Sequence, residues 1–153
     1  MILAEHTITI ERTIDAVFDY ISNHENYVNW FPGAISVVSK NELPHGTTGK
    51  IYTEQVKLLS GRLCEMEIPV VRCTRPSLFV TEGQFSPLHP RMEIRLERLG
   101  ADLTKLQWVF SSRNQSTLGR FLVRILAKRN LLKRSTEAMA NLKSILEQTE
   151  KHL

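Results

Sequence analysis

The sequence predicts an α+β fold in which a curved, seven-stranded antiparallel sheet packs against a long C-terminal helix. Between residues 34 and 110, short segments of alternating polar and apolar residues follow one another, separated by turns that contain Gly or Pro. Residues 117–151 contain no Pro and one Gly, and apolar side chains recur there every three to four residues. A helix with an apolar stripe must pack against another element, and the sheet is the surface that this chain offers.

The N-terminal part is predicted to form one strand and two short helices. Residues 6–11 alternate in the manner of a strand with one buried face. Thr13 is a typical N-cap for a helix with apolar residues at helical spacing, and residues 22–25 (Ser-Asn-His-Glu) fit a capping box for a second helix. The Pro-Gly pair at residues 32–33 ends that second helix.

Six further strands are predicted at residues 34–42, 49–58, 62–74, 77–84, 91–98 and 105–110. Short connections between them favour an antiparallel meander. The long helix is predicted over residues 116–150, which would span about 52 Å at 1.5 Å per residue, whereas the strands reach about 30 Å. We therefore expect a bend, or a separate first helix, between residues 128 and 134, where the apolar stripe is weakest.

Composition indicates one globular domain over residues 1–153. Of the 153 residues, 42% are hydrophobic and 24% are charged, which is ordinary for a chain with a real core. No run of 18 apolar residues could cross a membrane, and the first residues lack the basic start and cleavage site of a signal peptide. Cys64 and Cys73 show no metal or redox spacing, so we interpret both as buried thiols and expect a cytoplasmic location.

Positive charge is concentrated near the start of the long helix. The net charge is +4, yet residues 103–136 contain eight basic residues and no acidic ones. Interleaved apolar residues make this segment suited to peripheral contact with an anionic membrane. The alternative is a solvated outer face, and nucleic-acid binding is less favoured because aromatic residues other than Phe121 are missing. The basic surface comprises Arg120, Arg124, Lys128, Arg129, Lys133 and Arg134.

Motifs for other chemistries are missing from the sequence. The five His residues have no paired metal-ligand spacing, so we predict no metal site. No G-x-S-x-G, P-loop or G-x-G-x-x-G segment occurs, so neither a nucleophilic catalyst of that type nor a nucleotide cofactor is predicted.

The segment ITIERTIDAVFDYISNHENYVNWFPG (residues 8–33), together with the order of the elements, resembles the START-like superfamily. Its nearest group is the polyketide cyclase/dehydrase and lipid-transport proteins, also called SRPBCC proteins. The resemblance covers nearly the whole chain, and residues 11–33 carry its most specific part. It implies the helix-grip fold, with an apolar cavity between sheet and helix that takes lipids, sterols, quinones, polyketides or plant hormones. Some members are enzymes, but the family has no catalytic motif common to all its members.

The residues themselves agree that a gap exists between sheet and helix. One helix about 10 Å wide cannot cover a concave sheet, so either large side chains or a ligand must fill the space. Strand parity and helical spacing predict the cavity lining, with ordinary core packing as the alternative for each residue. The predicted lining comprises Trp30, Phe31, Cys64, Met66, Ile68, Met92, Ile94, Leu96, Leu106, Trp108, Phe110, Leu132, Met139 and Leu142.

Two arginines could provide a polar contact at the mouth of this cavity. Arg62 and Arg98 share the inward register and could pair a ligand carboxylate, although a surface position at a strand end is the simpler alternative.

Three functions stay open from the sequence. The first is binding or transport of a small hydrophobic ligand, and the second is a cyclase- or dehydrase-like enzyme that uses the same cavity. The third is a module that contacts a membrane or an RNA or ribosome surface through the basic helix. A polar buried pair in the cavity would favour the enzyme, an apolar cavity the carrier, and a filled cavity the interaction module.

Overall fold

The protein, described here by a computed structural model, is defined over residues 1–58 and 60–150. In chain order the elements are β1 (Ile2–Ile10), α1 (Ile14–Ser22), a 3₁₀ turn (His24–Asn26), α2 (Tyr27–Trp30), β2 (Ala34–Ser39), β3 (Ile51–Lys57), β4 (Leu63–Thr74), β5 (Leu78–Glu82), β6 (Pro90–Gly100), β7 (Leu103–Ser112), α3 (Thr117–Leu126) and α4 (Lys128–Glu150). This confirms the predicted α+β class and the predicted order of elements.

The seven strands form one curved sheet in the order β1-β7-β6-β5-β4-β3-β2, and every neighbouring pair is antiparallel. The last strand in the chain, β7, therefore pairs with the first, and β1 and β2 form the two edges of the sheet. Inward-facing residues meet across the strands: Ile94 of β6 lies opposite Phe79 of β5 and Trp108 of β7. This face is the concave one, and α4 lies against it near β1.

Capping explains where the first helices begin. Thr13 Oγ1 accepts a hydrogen bond from the Ala16 backbone N–H at 3.2 Å, which confirms the predicted N-cap of α1. The predicted capping box on Ser22 is wrong, because α1 continues through Ser22. The next residue caps the 3₁₀ turn instead, where Asn23 Oδ1 accepts from the Glu25 N–H at 3.1 Å.

The C-terminal helix is interrupted at Ala127, one residue before the segment in which we expected a bend. The backbone of Ala127 departs from regular helix, with φ −110° and ψ −35°. Because of the break, the buried residues of α3 and α4 do not continue along a single helix face. Among residues 128–148 of α4 the buried residues are Ser135, Ala138, Met139, Leu142 and Leu146, and within α3, which is described throughout, they are Gly119 and Val123.

The core fills one half of the space between sheet and helix. Ile94, Leu106 and Trp108 are fully buried there, as is Leu142 of α4, and all belong to one apolar cluster. These sheet residues lie near the middle of β6 and β7. The other half of the sheet is covered by α3 and by the first turns of α4. Within the described ranges, no helix has the length and hydropathy needed to cross a membrane.

Candidate ligand cavity

A cavity of about 480 Å³ lies at the half of the concave face that α3 covers, between the sheet, α2, α3 and the start of α4. Its volume falls within the range of about 300–1,000 Å³ that small-molecule sites occupy. The lining comprises His24, Tyr27, Phe31, Pro32, Gly33, Ala34, Glu54, Val56, Leu58, Ser60, Met66, Ile68, Thr81, Gly83, Phe85, Pro87, Leu88, Pro90, Met92, Phe110, Leu122, Val123, Leu126, Ala127, Asn130, Leu131 and Arg134.

Most of this wall is apolar, and part of it was predicted. The structure places Phe31, from the end of α2, in the lining together with Met66, Ile68, Met92 and Phe110, which strand alternation had indicated. Met66 and Met92 have flexible, polarizable side chains that adapt to ligands of different shape. Whether these side chains contact a ligand stays a prediction.

The remaining predicted lining residues lie outside the cavity. Most are buried in the filled half of the fold, because the middle of α4 packs directly on the sheet there and leaves no gap. Leu132 is 40% exposed, since the break at Ala127 turns the neighbouring Leu131 inward instead. Cys64 is half-buried and packs at the edge of the core. The residues in the core are Trp30, Ile94, Leu96, Leu106, Trp108, Met139 and Leu142.

Arg62 and Arg98 take the surface position that was the simpler alternative for them. Arg62 and Arg98 are both exposed and neither lines the cavity. Arg98 sits near the far end of β6, at least six residues from the cavity residues Pro90 and Met92. Within the predicted basic surface, Arg120, Arg124, Arg129 and Lys133 are exposed and Lys128 is half-buried. The sixth member, Arg134, instead lines the cavity.

Three aromatic rings form a stack along the 3₁₀ turn and α2. The rings of His24 and Tyr27 lie 4.7 Å apart, and those of Tyr27 and Phe31 lie 4.8 Å apart, both nearly parallel. Their spacing of three and then four residues places them on one face of the helical segment. All three line the cavity, so this short segment forms one aromatic wall. The sequence prediction included only Phe31.

A buried polar pair interrupts the apolar wall. His24 Nε2 lies 3.1 Å from Glu54 Oε2, and the two residues are 3% and 5% exposed. Glu54 lies two residues after the buried Tyr52 on β3. Residues two apart on a strand share a face, so Glu54 also faces inward. Sequence reasoning missed this pair. The signal was a single charged residue at an inward position of a strand, which is costly to bury unless a partner satisfies it.

The tyrosines around this pair are held in their neutral form. Burial raises the pKa of Tyr27 well above its usual value, and the Glu54 carboxylate raises it further, while the Arg134 guanidinium opposes both effects. Burial likewise raises the pKa of Tyr52 to about 12, against a weaker opposing hydrogen bond from the His24 backbone. The Tyr52 hydroxyl also lies 2.7 Å from His45 Nδ1. Two phenols thus stay protonated beside the cavity at neutral pH.

Arg134 approaches the backbone closely at Gly33. A Cβ at that position would lie 2.7 Å from Arg134 Cζ, which no real Cβ tolerates. Gly33 also has φ +94°, a conformation that favours glycine. The turn after α2 therefore leaves space that the guanidinium occupies. Among the described residues, no group of three or more His, Cys, Asp or Glu side chains could hold a metal ion.

Comparison with known proteins now identifies the family. The model of the family "polyketide cyclase / dehydrase and lipid transport" matches residues 1–147. The chain belongs to this family. Membership supports a general role in ligand binding or cyclisation. No curated protein matches the sequence.

Solved structures confirm the START-like, helix-grip fold of this family member. A START superfamily protein from Mycobacterium smegmatis is similar over 95% of this chain and 97% of its own, with a TM-score of 0.73 and 17% identity. The ZhuI aromatase/cyclase from Streptomyces sp. R1128 is similar over 92% and 93%, with a TM-score of 0.64 and 18% identity. The di-domain aromatase/cyclase BexL from the BE-7585A biosynthetic pathway matches with 14% identity and a TM-score of 0.65, over 94% of this chain and 49% of its own.

Proposed function

We propose that this protein binds or carries a small hydrophobic ligand, of the lipid, quinone, sterol or polyketide-like kind, in the cavity between the sheet and its C-terminal helices. The observation that supports the proposal is a cavity of about 480 Å³ whose wall is mainly aliphatic, aromatic and thioether. Burial drives the binding, at about 25 cal/mol for each Å² of apolar ligand surface removed from water. A few polar groups set the orientation of the ligand.

The proposal treats residues 1–153 as one ligand-binding domain in the cytoplasm. The two cysteines are free thiols, each half-buried, and burial raises the pKa of both. Thiols in this state suit a reducing compartment.

Blocking the cavity tests the proposal directly. Val56 lies on β3 and lines the cavity, so Val56→Trp places an indole in the ligand space. The matched control is Val38→Trp on the edge strand β2, where the side chain is 55% exposed. Protein purified gently from cells is weighed by native mass spectrometry, and binding of the neutral dye Nile red is titrated. We expect wild type and V38W to bind the dye alike and V56W to bind at least tenfold more weakly. Equal binding by all three proteins contradicts the proposal.

A second candidate function is cyclisation of a polyketide-like chain in the same cavity. The His24–Glu54 pair favours it, because a carboxylate that orients an imidazole within an apolar wall is suited to general acid–base work. In an aldol cyclisation the imidazole would take a proton from a methylene carbon, that carbon would add to a ketone of the same chain, and the imidazolium would return the proton to the resulting alkoxide. Loss of one water would then form the ring double bond.

The enzyme candidate is tested with a synthetic poly-β-ketone thioester, by following absorbance of the aromatic product. We expect Glu54→Gln and His24→Phe to abolish product formation while Nile red binding persists. If wild-type protein gives no rate above buffer, this candidate is wrong and the binding function stands alone.

A third candidate role is contact with an anionic membrane through α3. Leu118, Phe121, Ile125 and Leu126 are between 59% and 69% exposed, which is unusual for large apolar side chains. The exposed cations Arg120 and Arg124 lie on the same helix and complement an anionic lipid surface. Since Leu122 and Leu126 also line the cavity, docking of α3 would bring a ligand exit close to the bilayer.

Vesicle sedimentation tests this surface. We expect wild-type protein to sediment with vesicles of phosphatidylglycerol but not with vesicles of phosphatidylcholine alone, and to be released by salt. Phe121→Glu should abolish sedimentation, whereas Val38→Glu, an exposed change on β2, should not. Wild-type protein that stays in the supernatant with both vesicle types contradicts the membrane role.

A further inference from the structure

The cavity wall contains one charged side chain that has no partner in the part of the chain that the structure describes. Two residues of the lining, Glu54 and Arg134, ordinarily carry a full charge at neutral pH. The Glu54 carboxylate is bonded to His24. Arg134 makes neither a hydrogen bond nor an ion pair within residues 1–58 and 60–150, although it is half-buried.

An unpaired guanidinium beside an apolar wall is expensive unless something compensates its charge. Residues 103–136 contain no Asp or Glu, and the first acidic residue after Arg134, Glu137, is exposed and makes no ion pair with it. The acidic group that acts on the same environment is Glu54, since both it and Arg134 influence the Tyr27 phenol. That carboxylate already contacts the His24 imidazole, so the part of the ligand space nearest Arg134 presents a positive charge.

The position of Arg134 is also held by its surroundings. The turn at residues 31–34 follows α2, and Gly33 within it leaves the space against which the guanidinium rests. The guanidinium therefore lies against this turn while it also lines the cavity. Guanidinium forks match oxyanions, and such charge-assisted bonds are about twice as strong as neutral ones.

The rest of the cavity wall is mainly apolar. Met66, Met92 and Phe110 from the sheet face Leu122 and Leu126 from α3 across the remaining space. A ligand that satisfies the whole cavity therefore has a negative head and an apolar body.

From this arrangement we propose that the ligand of this cavity is an anionic amphiphile, whose carboxylate or phosphate head pairs with Arg134 while its apolar part lies between the sheet and α3. The proposal rests on the proposed ligand-binding function and adds the chemical class of the ligand. It also replaces Arg62 and Arg98 as the cation that meets the head group, because both are exposed and neither lines the cavity.

Isothermal titration with matched ligands tests it. Dodecanoic acid, methyl dodecanoate and dodecanol share one chain and differ in the head, and lysophosphatidic acid supplies a phosphate head. We expect wild type to bind the acid at least tenfold more tightly than the alcohol and the ester. Arg134→Gln should remove that preference while it keeps affinity for dodecanol. Arg98→Gln, an exposed cation on β6, should keep the preference. Comparison of the acid with lysophosphatidic acid shows which oxyanion fits better.

Two results would overturn the inference while leaving ligand binding intact. One is equal affinity of wild type for the acid and the alcohol, and the other is a preference for the acid that survives in R134Q. If neither the acid, the alcohol nor Nile red binds wild type, the binding function itself fails, and the inference fails with it. Should R134Q be poorly folded, Arg134→Met and Arg134→Lys provide the comparison. Lysine should retain part of the preference and methionine none.

Discussion

The imidazole of His24 and the carboxylate of Glu54 meet at 3.1 Å inside the cavity wall, although 30 residues separate them in the chain. The 3₁₀ turn before α2 supplies the first, and the inward face of β3 supplies the second. Each residue is the polar neighbour that makes burial of the other tolerable. The pair therefore ties the N-terminal helices to the sheet at the place where the cavity begins.

Truncation of Glu54 should destabilise the fold through this pair. Glu54→Ala leaves the buried His24 nitrogen without its partner, and an unsatisfied buried polar group costs about 2 kcal/mol. Glu54→Gln retains an acceptor oxygen and should lose less. Urea denaturation followed by circular dichroism measures both changes. An E54A midpoint equal to that of wild type would show that the pair contributes nothing to stability.

Two leucines of α4 should respond very differently to truncation. Leu142 is fully buried in the core, so Leu142→Ala should lower the free energy of unfolding by about 3 kcal/mol. Leu132 is 40% exposed, and Leu132→Ala should change the free energy of unfolding by no more than about 0.5 kcal/mol. Neither residue lines the cavity, so Nile red affinity of both folded variants should match wild type. A larger loss of unfolding free energy for L132A than for L142A would contradict the finding that α4 buries Leu142 and exposes Leu132.

Alkaline pH should weaken the fold through its tyrosines. All three tyrosines have a raised pKa, chiefly from burial, and that of Tyr52 reaches about 12 against an ordinary 10.0. Because the unfolded chain releases these protons first, the stabilisation is complete below pH 10 and is lost as the pH rises towards 12. Absorbance at 295 nm should show phenolate appearing only with unfolding. Tyr52→Phe should reduce the loss of stability at alkaline pH. If stability falls with pH as it does in wild type, Tyr52 is not a source of that loss.

Gly119 should be intolerant of a side chain, because Asn114 occupies the adjoining space. A Cβ on Gly119 would lie 2.6 Å from Asn114 Cγ, so Gly119→Ala must displace that amide. Asn114 Nδ2 donates to the Pro87 carbonyl at 2.7 Å, which links the start of α3 to a loop that lines the cavity. We expect faster limited proteolysis near residues 113–116 in G119A. Gly100→Ala, where the nearest atom is an ordinary 3.7 Å away, is the control and should digest like wild type.

Much of the fold was accessible from sequence because its signals are local. Alternation in β6 placed Met92, Ile94 and Leu96 on one face, and Thr13 marked the start of α1. The positions of turns followed from Gly and Pro. The distance between α4 and each part of the sheet could not be predicted from the sequence, since it depends on packing between elements that are remote in the chain. Met92 therefore lines a cavity while Ile94, two residues later, is core.

The polar part of the site was missed for a related reason. Arg134 is one of several cations in a basic segment, and composition there indicates a solvated surface. The break at Ala127 changed which face of the C-terminal helix is buried. Small buried residues of α4 such as Ser135 and Ala138 weakened the apolar stripe that would have indicated this change. Glu54 and His24 each look unremarkable alone. Their significance arises only when the sheet and the 3₁₀ turn bring them together.

The break at Ala127 also has a kinetic consequence. It joins α3 to α4 by a single non-helical residue, and α3 itself buries only Gly119 and Val123, within a helix that is described throughout. A segment with so few buried side chains opens at a free energy far below that of global unfolding. Amide protons of α3 should therefore exchange with solvent much sooner than those of β6 and β7. The residence time of a bound molecule is then governed by the departure of one ten-residue helix, and it can be short even in a very stable protein.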